Sequence, residues 1–291
     1  MIYEVSHVTR YTYAATVELT NGVTRLTPAS DSEQSLERFE LTTQPRSVVS
    51  GERIDPFGNH LTSFRIEQPH RELTITASSR VRVQRPPLPS DSLPWEVVAE
   101  DSLATDSLAS GSPALGLYPS RRVILFDEAT SYARESFPNG RPVHEAALDL
   151  ARRIRADFAY DPDATKVDTP TQEAFRRRRG VCQDFAHIMI AAVRGLGLPA
   201  MYVSGYIRTI PPPGRERLAG ADASHAWISV WCGPQMGWKD FDPTNAQAVE
   251  NDHIVVARGR DYSEAAPIES LVLSSGRHTL DVEVDVMPVG S

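Results

Sequence analysis

The sequence predicts an α+β protein, with an N-terminal antiparallel β-sandwich followed by a region that mixes helices and strands. Two patterns lead to this prediction. From residue 2 to about residue 83, apolar and polar side chains alternate with period two, which is typical of strands with one buried face. After Asp127, apolar residues recur every three or four positions, which is typical of helices, and strand patterns return at Ala200.

Composition and charge describe an ordinary soluble globular protein. The 291 residues are enough for two domains or one large one, and 41% of them are hydrophobic. The formal net charge is −8 with acids and bases interspersed, so we expect neither a nucleic-acid nor a membrane partner. Two cysteines are too few for a secreted disulfide scaffold, and no signal-like or membrane-spanning run is evident, so we expect a cytoplasmic protein.

Residues 1–85 contain the strands of the predicted sandwich. Residues 55–59 and the pair Asn21-Gly22 predict turns between these strands. Three histidines of this region could in principle bind zinc, namely His7, His60 and His70. They are far apart in the sequence, and no cluster of cysteines or carboxylates accompanies them. We therefore interpret them as surface or turn histidines and predict no metal site.

Residues 86–121 form a proline-rich segment, which predicts an extended surface connection with a short helix near Trp95. Its large apolar residues would be unusual in a solvated linker and indicate packing against the following domain; they are Trp95, Leu103, Leu108 and Leu115. We place the domain boundary in this segment. Residues 122–291, including the C-terminal strands, are assigned to the second domain.

Cys182 stands directly after Gly180-Val181, at the predicted start of an apolar-periodic helix that ends near Gly197. A thiol at this position meets unpaired backbone N–H groups and the positive end of the helix dipole, which favour the thiolate. The arginine run at residues 176–179 is either a solvated helix end or a source of positive potential near the thiol. Position alone makes Cys182 a candidate nucleophile.

Two strand patterns, at residues 225–232 and 237–242, flank the four-residue loop 233–236 and predict an antiparallel hairpin in which Cys232 faces Gly237. If the loop sets the register, Trp227 faces Asp242, so that His225 and Asp242 are diagonal neighbours on one face. A cysteine, a histidine and an acid are the parts of an activated thiol nucleophile. The imidazole takes the thiol proton and passes it to the leaving amine, while the carboxylate orients the ring.

These residues lie in motifs that resemble the bacterial transglutaminase-like superfamily, a papain-related group. The motifs are Gly-Val-Cys-Gln-Asp-Phe-Ala-His at 180–187, Ser-His-Ala-Trp at 224–227 and Asp-Pro-Thr at 242–244. Residues 7–13 and 55–59 resemble the β-domain that precedes this core in one bacterial branch, and residues 252–262 resemble its C-terminal signature. The resemblance implies a papain-like transglutaminase core, in which the cysteine-bearing helix packs on an antiparallel sheet, with Cys182, His225 and Asp242 as the catalytic triad.

The resemblance also implies a reaction class: thiolate attack on an amide, release of the amine and resolution of the thioester. Resolution by water makes a cysteine peptidase or amidase, which is the interpretation we favour. Resolution by a lysine amine makes a protein-glutamine gamma-glutamyltransferase, which crosslinks or deamidates glutamine. A second alternative is an inactive peptide-binding protein, against which the complete triad argues. The expected partners are a peptide or protein substrate and, for transfer, an amine acceptor, and no cofactor is expected.

Further residues are candidates for supporting roles. The backbone N–H of Cys182 is one natural oxyanion donor, and Gln172 or Tyr160 could supply a second one, although helix capping for Gln172 and core packing for Tyr160 are the favoured interpretations. Trp227 and Trp231 share the strand face of His225, as either a substrate wall or core packing. The other motif residues have expected structural roles: a helix cap for Asp184, a buried histidine for His187 and a bystander thiol for Cys232.

Overall fold

The computed structural model describes residues 1–209, 223–274 and 276–290. The prolines and glycines at residues 211–220 predict a loop, which lies outside the described residues. The helices are α1 (Trp95–Leu103), α2 (Asp127–Arg134), α3 (Val143–Asp157), α4 (Thr171–Arg177), α5 (Cys182–Gly195) and α6 (Tyr262–Ala265), with a short 3-10 helix at Pro113–Gly116. None of these helices combines the length and apolar character that a membrane span requires.

The first six strands follow one another with no helix between them, and the later strands are interspersed with the helices. They are β1 (Ile2–Val17), β2 (Leu19–Thr24), β3 (Gln34–Gln44), β4 (Val48–Ile54), β5 (His60–Ile66), β6 (His70–Val83), β7 (Ala159–Tyr160), β8 (Arg179–Gly180), β9 (Ala200–Ile207), β10 (Ala223–Trp231), β11 (Trp238–Asp242), β12 (Gln247–Ala248), β13 (His253–Gly259), β14 (Ile268–Leu273) and β15 (His278–Pro288).

Two four-stranded antiparallel sheets form the predicted N-terminal β-sandwich. The first sheet has the strand order β15-β1-β6-β3 and the second has the order β14-β2-β5-β4. Apolar side chains from both sheets, including Tyr13 and Phe64, share one buried core. The turn predicted at residues 55–59 joins β4 to β5, and the Asp55 carboxylate closes it by accepting backbone N–H groups.

The two C-terminal strands belong to this sandwich. β15 runs antiparallel along β1 from the pair Tyr3 and Pro288 to the pair Tyr13 and His278, and β14 pairs with β2. Their pairing with β1 and β2 corrects the assignment of residues 122–291 to the second domain. The physical reason is that a strand pattern specifies a buried face and leaves the pairing partner open.

The turn predicted at Asn21-Gly22 is wrong, because both residues lie inside β2. The glycine is needed there for close packing: a Cβ atom on Gly22 would come within 2.3 Å of the Phe64 ring. Gly22 therefore allows the Phe64 side chain to cross the strand, a use of glycine that sequence patterns do not separate from a turn.

The second domain is built on a five-stranded antiparallel sheet with the order β12-β11-β10-β9-β13. Helix α5 packs against β9 and β10 and is surrounded by α2, α3 and α4. Its side chains Phe185, Ile188 and Met189 are completely buried in the largest apolar cluster of the molecule. This packing stabilises the central helix and holds its first residue, Cys182, beside the sheet.

The proline-rich segment packs on the second domain, as its apolar residues predicted. Helix α1 includes the predicted short helix near Trp95 and buries Val98 in the core. The Trp238 indole donates a hydrogen bond of 2.8 Å to the backbone carbonyl of Gly111. Leu103 and Leu108 are exposed, so these two residues do not contribute to the packing.

The sandwich contacts the second domain through β1, β6 and β15. Tyr3 and Val284 share an apolar cluster with Tyr206 of β9 and Ile254 of β13. Within this contact, His7 is buried, with its Nδ1 atom 3.0 Å from the Tyr206 hydroxyl and its Nε2 atom 2.9 Å from the Thr9 hydroxyl. His70 is also buried and begins β6, whereas His60 is exposed. The interpretation of these histidines as surface or turn residues is therefore wrong for His7 and His70.

We expect His7 to make the fold sensitive to acid. Burial lowers the pKa of His7 from 6.5 to about 4. As the pH falls, the unfolded chain therefore takes up a proton on His7 before the folded protein does. The free energy of unfolding falls as the pH drops from about 6.5 towards 4. Between pH 7 and pH 5 the expected loss in unfolding free energy from this residue is about 2 kcal/mol.

Chemical denaturation at pH 7 and pH 5 measures this loss, with His7→Asn as the comparison because an asparagine cannot take up the proton. The variant is expected to lose about 2 kcal/mol less than the native protein between the two pH values. Equal losses in the two proteins would contradict the assignment.

Candidate active site

Cys182 is the first residue of α5 and is partly exposed. The start of this helix is held by Asp184, whose Oδ2 atom accepts the backbone N–H of Val181 at 2.8 Å and the Thr165 hydroxyl at 2.6 Å. A Cβ atom on Gly180 would lie 2.5 Å from the same carboxylate oxygen, so the glycine makes room for the cap. The capping role predicted for Asp184 is confirmed, and the cap positions the thiol.

The β10–β11 hairpin has the predicted register. Trp231 pairs with Trp238 and Ile228 pairs with Phe241, as the four-residue loop requires. The register brings His225 and Asp242 together, and His225 Nε2 lies 2.8 Å from Asp242 Oδ2. Both side chains are buried, so the contact is shielded from water.

The charges of this pair are strongly coupled to its surroundings. Burial alone would lower the pKa of His225, but its hydrogen bond with Asp242 and, secondarily, the neighbouring Cys182 thiol outweigh burial and raise this pKa to about 10. Burial would raise the pKa of Asp242, but hydrogen bonds from His225 and His253 hold this pKa far below its ordinary value. The arrangement favours a carboxylate that stabilises an imidazolium next to the thiol.

Asp242 is held by more donors than the predicted triad contains. Its Oδ1 atom accepts the backbone N–H groups of Thr244 and Asn245, and its Oδ2 atom accepts the Asn245 side-chain amide at 2.7 Å. His253 Nε2 also lies 3.1 Å from Oδ2. Asn245 and His253 were not identified as site residues from the sequence. Only the position of His253 in a family signature could have drawn attention to it.

Among the described residues, the cluster of His225, Asp242 and His253 has a geometry that could suit a metal ion. The nitrogen and oxygen atoms of His225, Asp242 and His253 lie within 4.8 Å of one another. Each histidine Nε2 atom is already paired with the carboxylate, and these hydrogen bonds account for the arrangement without an ion.

The two candidates for a second oxyanion donor are placed differently. Tyr160 of β7 pairs with Gly180 of β8, which puts it beside the start of α5, and its side chain is 51% exposed. Burial and, secondarily, the neighbouring Cys182 raise the pKa of the Tyr160 hydroxyl, which therefore keeps its proton and can donate it. Gln172 of α4 instead lies beside Glu128 of α2.

The two tryptophans proposed as substrate walls have other roles. Trp227 is completely buried, its indole donates to Asp240 at 3.0 Å, and its ring packs against those of His225 and His253. Core packing is thus the correct alternative for Trp227, because a side chain without exposed surface cannot line a cleft. Trp231 packs on Trp238 six residues along the strand from His225, which corresponds to a distance of about 20 Å.

His187 and Cys232, near the site, have the structural roles that the sequence predicts. His187 is buried, accepts the backbone N–H of Tyr262 at 3.1 Å and has its pKa lowered to about 3 by burial, as expected for a structural histidine. Cys182 and Cys232 are free thiols. Burial raises the pKa of Cys232 to about 12, which is consistent with an unreactive bystander.

A pocket of about 410 Å³ lies beside the nucleophile. It is lined by Val181 and Gln183, the residues on either side of Cys182, and by residues of the preceding loop, which are Pro162, Thr165, Lys166 and Val167. Its size is in the range of small-molecule or side-chain binding pockets. It is therefore a cavity beside the start of α5 that could hold part of a substrate.

Two family models match the chain. Residues 3–82 match the bacterial transglutaminase-like N-terminal region, and residues 130–243 match the transglutaminase-like superfamily. The second match contains Cys182, His225 and Asp242. The two matches correspond to the sandwich and to the second domain described above.

Relatives extend this comparison to nearly the whole chain. An uncharacterized protein of Mycobacterium tuberculosis is 40% identical over 295 residues, which cover 98% of this chain and 92% of that protein. An uncharacterized protein of Mycobacterium leprae is 32% identical over 285 residues, which cover 97% of both chains. A protein-glutamine gamma-glutamyltransferase of Pseudomonas aeruginosa is 34% identical over 140 residues, which cover 46% of this chain and 21% of that protein.

A solved structure has the same fold. A candidate cysteine protease from Cytophaga hutchinsonii superimposes with a TM-score of 0.71, and the match covers 100% of this chain and 92% of that chain at 19% sequence identity. At this identity the likeness supports the architecture, a β-sandwich with a transglutaminase-like core, and not the activity. Together with the family matches, it establishes that this chain belongs to the transglutaminase-like superfamily, in the form that carries the bacterial transglutaminase-like N-terminal region.

Proposed function

We propose that this protein is a thiol-dependent acyl-transfer enzyme that acts on amide bonds as a cysteine peptidase or amidase. The observation that carries the proposal is the partly exposed Cys182 thiol at the start of α5, which neighbours the buried, hydrogen-bonded pair of His225 and Asp242. A buried histidine paired with a buried carboxylate and a helix-start thiol is the constellation that activates sulfur as a nucleophile.

The reaction follows from these positions. Because Nε2 of His225 is bound to Asp242, Nδ1 is the ring nitrogen that takes the thiol proton. The sulfur then attacks the amide carbonyl carbon, the C–N bond breaks, and His225 returns the proton to the leaving amine. Water, deprotonated by His225, cleaves the resulting thioester and releases the acid and the thiol. Asp242 stabilises the imidazolium in both steps.

The oxyanion of each tetrahedral intermediate needs donors near Cys182. The backbone N–H of Cys182 is one, because the first N–H groups of a helix have no partner within the helix. Tyr160 is the better placed of the two side-chain candidates, since it lies across from Gly180 and keeps its proton. The pocket lined by Val181 and Gln183 is the proposed place for the acyl side of the substrate.

Tyr160→Phe is expected to lower kcat by about 100-fold if the hydroxyl stabilises the oxyanion. The side chain is half exposed, so the variant should unfold at nearly the same temperature as the native protein. Kinetics with a peptide amide measure the effect, and Gln172→Ala provides the comparison, because Gln172 lies beside Glu128 of α2. A native kcat in Tyr160→Phe would show that the Tyr160 hydroxyl does not stabilise the oxyanion.

A protein-glutamine gamma-glutamyltransferase activity is a second candidate. The observation that favours it is the 34% identity over 140 residues to the enzyme of that name from Pseudomonas aeruginosa. In this case a primary amine replaces water in the attack on the thioester. The residues of the site and their roles are otherwise unchanged.

One experiment separates the candidates. The protein is incubated with a glutamine-containing peptide and a labelled primary amine, and the products are analysed by mass spectrometry. Backbone cleavage or side-chain hydrolysis without label supports the peptidase or amidase, and incorporated label supports the transferase. If neither occurs and Cys182 reacts with iodoacetamide near pH 6 no faster than free cysteine, the proposal of an enzyme fails in favour of a peptide-binding protein.

A further inference from the structure

His253 is a second histidine on the carboxylate of the proposed site. It is the first residue of β13. This strand forms one edge of the five-stranded sheet, and β12 forms the other edge, next to β11, which carries Asp242. Its ring nevertheless reaches Asp242, with Nε2 3.1 Å from Oδ2, the same oxygen that His225 contacts at 2.8 Å. Two imidazoles therefore share one carboxylate oxygen.

The ring of His253 is held in place on every side. It has no exposed surface and packs edge-on against Trp227, with ring centroids 5.2 Å apart. The N-terminal sandwich supports its strand: the Tyr3 hydroxyl donates to Asp252 at 2.8 Å, and the Gln34 side chain bonds both the N–H and the carbonyl of Val255. This support fixes the strand from which the ring projects.

The hydrogen-bond pattern assigns the tautomer of His253. Its Nδ1 atom is buried and makes no hydrogen bond to the described residues. A buried N–H without a partner is unfavourable, and a carboxylate oxygen accepts but does not donate. The proton therefore belongs on Nε2, where it is donated to Asp242.

We infer that His253 is a positioning residue of the proposed active site, whose Nε2–H shares the Asp242 carboxylate with His225 and thereby sets how tightly the carboxylate holds the His225 imidazolium. This inference rests on the proposed function. Because the Asn245 amide and two backbone N–H groups also bind the carboxylate, its orientation survives without His253. The particular contribution of His253 is to draw negative charge away from His225.

The direction of the effect follows from this competition. Without the His253 donor, His225 faces more of the carboxylate charge, so its imidazolium becomes more stable and gives its proton to the leaving amine less readily. Among the described residues, the charged or titratable groups around the cluster include Cys182 of α5, His225 of β10, Asp242 of β11, and Arg85, which donates to the His253 carbonyl. Asp240 lies behind Trp227 with Arg258 beside it, and Asp252 precedes His253 in the chain. A substitution of His253 leaves all of these charged groups in the protein, so a change in the titration of His225 is attributed to the lost His253 donor.

Nuclear magnetic resonance of the native protein with nitrogen-15-labelled histidine tests the tautomer directly. The expected result is a His253 ring with a protonated Nε2 and a bare Nδ1. A proton on Nδ1 would overturn the inference, because the ring could then not donate to Asp242. This measurement needs no substrate, so it remains informative even if the proposed function fails.

A matched pair of variants tests the consequence. His253→Gln retains an amide N–H that can reach Oδ2, whereas His253→Met has a similar length and no donor. We expect His253→Met to raise the pH at which His225 titrates and to lower kcat for a peptide amide about 10-fold with little change in KM. His253→Gln should stay within about twofold of the native protein.

Equal losses in both variants would mean that the histidine acts only through packing, and native titration of His225 in His253→Met would mean that no charge is shared. Either result overturns the inference. Melting temperatures of the two variants show whether both are folded. If His253→Met does not fold, the tautomer measurement on the native protein decides the question. If the native protein cleaves no amide, the proposed function fails separately, while the titration of His225 still reports on His253.

Discussion

Replacing Cys182 with alanine is expected to abolish amide cleavage, with a fall in kcat of about 10⁴-fold or more. The sulfur forms the covalent bond in the proposed reaction, and no other thiol can replace it. The residue is partly exposed at the start of α5, so its loss removes little buried surface and the melting temperature should change little. Product formation from a peptide amide and thermal unfolding measure the two effects.

The matched control is Cys232→Ala. Burial raises the pKa of Cys232 to about 12, so this thiol should neither react with iodoacetamide near neutral pH nor contribute to cleavage. The control variant should keep the native kcat and lose some stability, since it leaves a small cavity in the core. Full activity in Cys182→Ala, or loss of activity in Cys232→Ala alone, would contradict the assignment of the nucleophile.

Asp242→Asn should have the second largest effect, a fall in kcat of about 10³- to 10⁴-fold. An asparagine carries no charge to stabilise the imidazolium, and its amide N–H groups cannot accept from the two histidines that now donate to Oδ2. The pKa of His225, raised to about 10 in the native protein, should fall towards its ordinary value of 6.5. The alkaline limb of the activity profile should therefore move to lower pH.

The same change has a defined effect on stability. Because the folded protein binds the His225 proton more tightly than the unfolded chain, the contribution of the pair is complete below about pH 6.5 and is lost as the pH rises towards 10. Asp242→Asn should thus be more destabilising at pH 6 than at pH 10. Denaturant titrations at the two pH values measure the difference.

Asp240→Asn provides the comparison for Asp242. Asp240 lies two residues earlier on β11 and accepts from the Trp227 indole without touching His225. Its asparagine keeps an acceptor for the indole, so kcat should change by only a few-fold and the pH profile should remain native. Equal losses in the two variants, or an alkaline limb that does not move in Asp242→Asn, would argue against the carboxylate role.

The parts of the site that could be predicted from the sequence depend on local chemistry. A loop of four residues sets the register of β10 and β11, and this register places His225 next to Asp242. Gly180 and Asp184 surround Cys182 with the residues that a capped helix start requires. Each of these features depends on residues that are close together in the chain, so it can be predicted from the local sequence alone.

Other features could not be predicted because they depend on packing between distant segments. Gly22 has the appearance of a turn residue until the Phe64 ring is placed against it. Trp227 has the periodicity of a cleft residue and of a core residue alike, and only its complete burial decides between them. The positions of Tyr160 and Gln172 relative to the thiol likewise follow from how β7 and α4 pack around α5.

By itself, the sequence determined the class of fold, the helix that begins at Cys182 and the hairpin that joins His225 to Asp242, because turns, caps and side-chain periodicity are written in neighbouring residues. The tertiary structure alone decided that residues 268–288 complete the N-terminal sandwich and that His253 shares the Asp242 carboxylate. Such contacts join segments that are far apart along the chain, and their partners are selected by which surfaces are buried together, which no local pattern specifies.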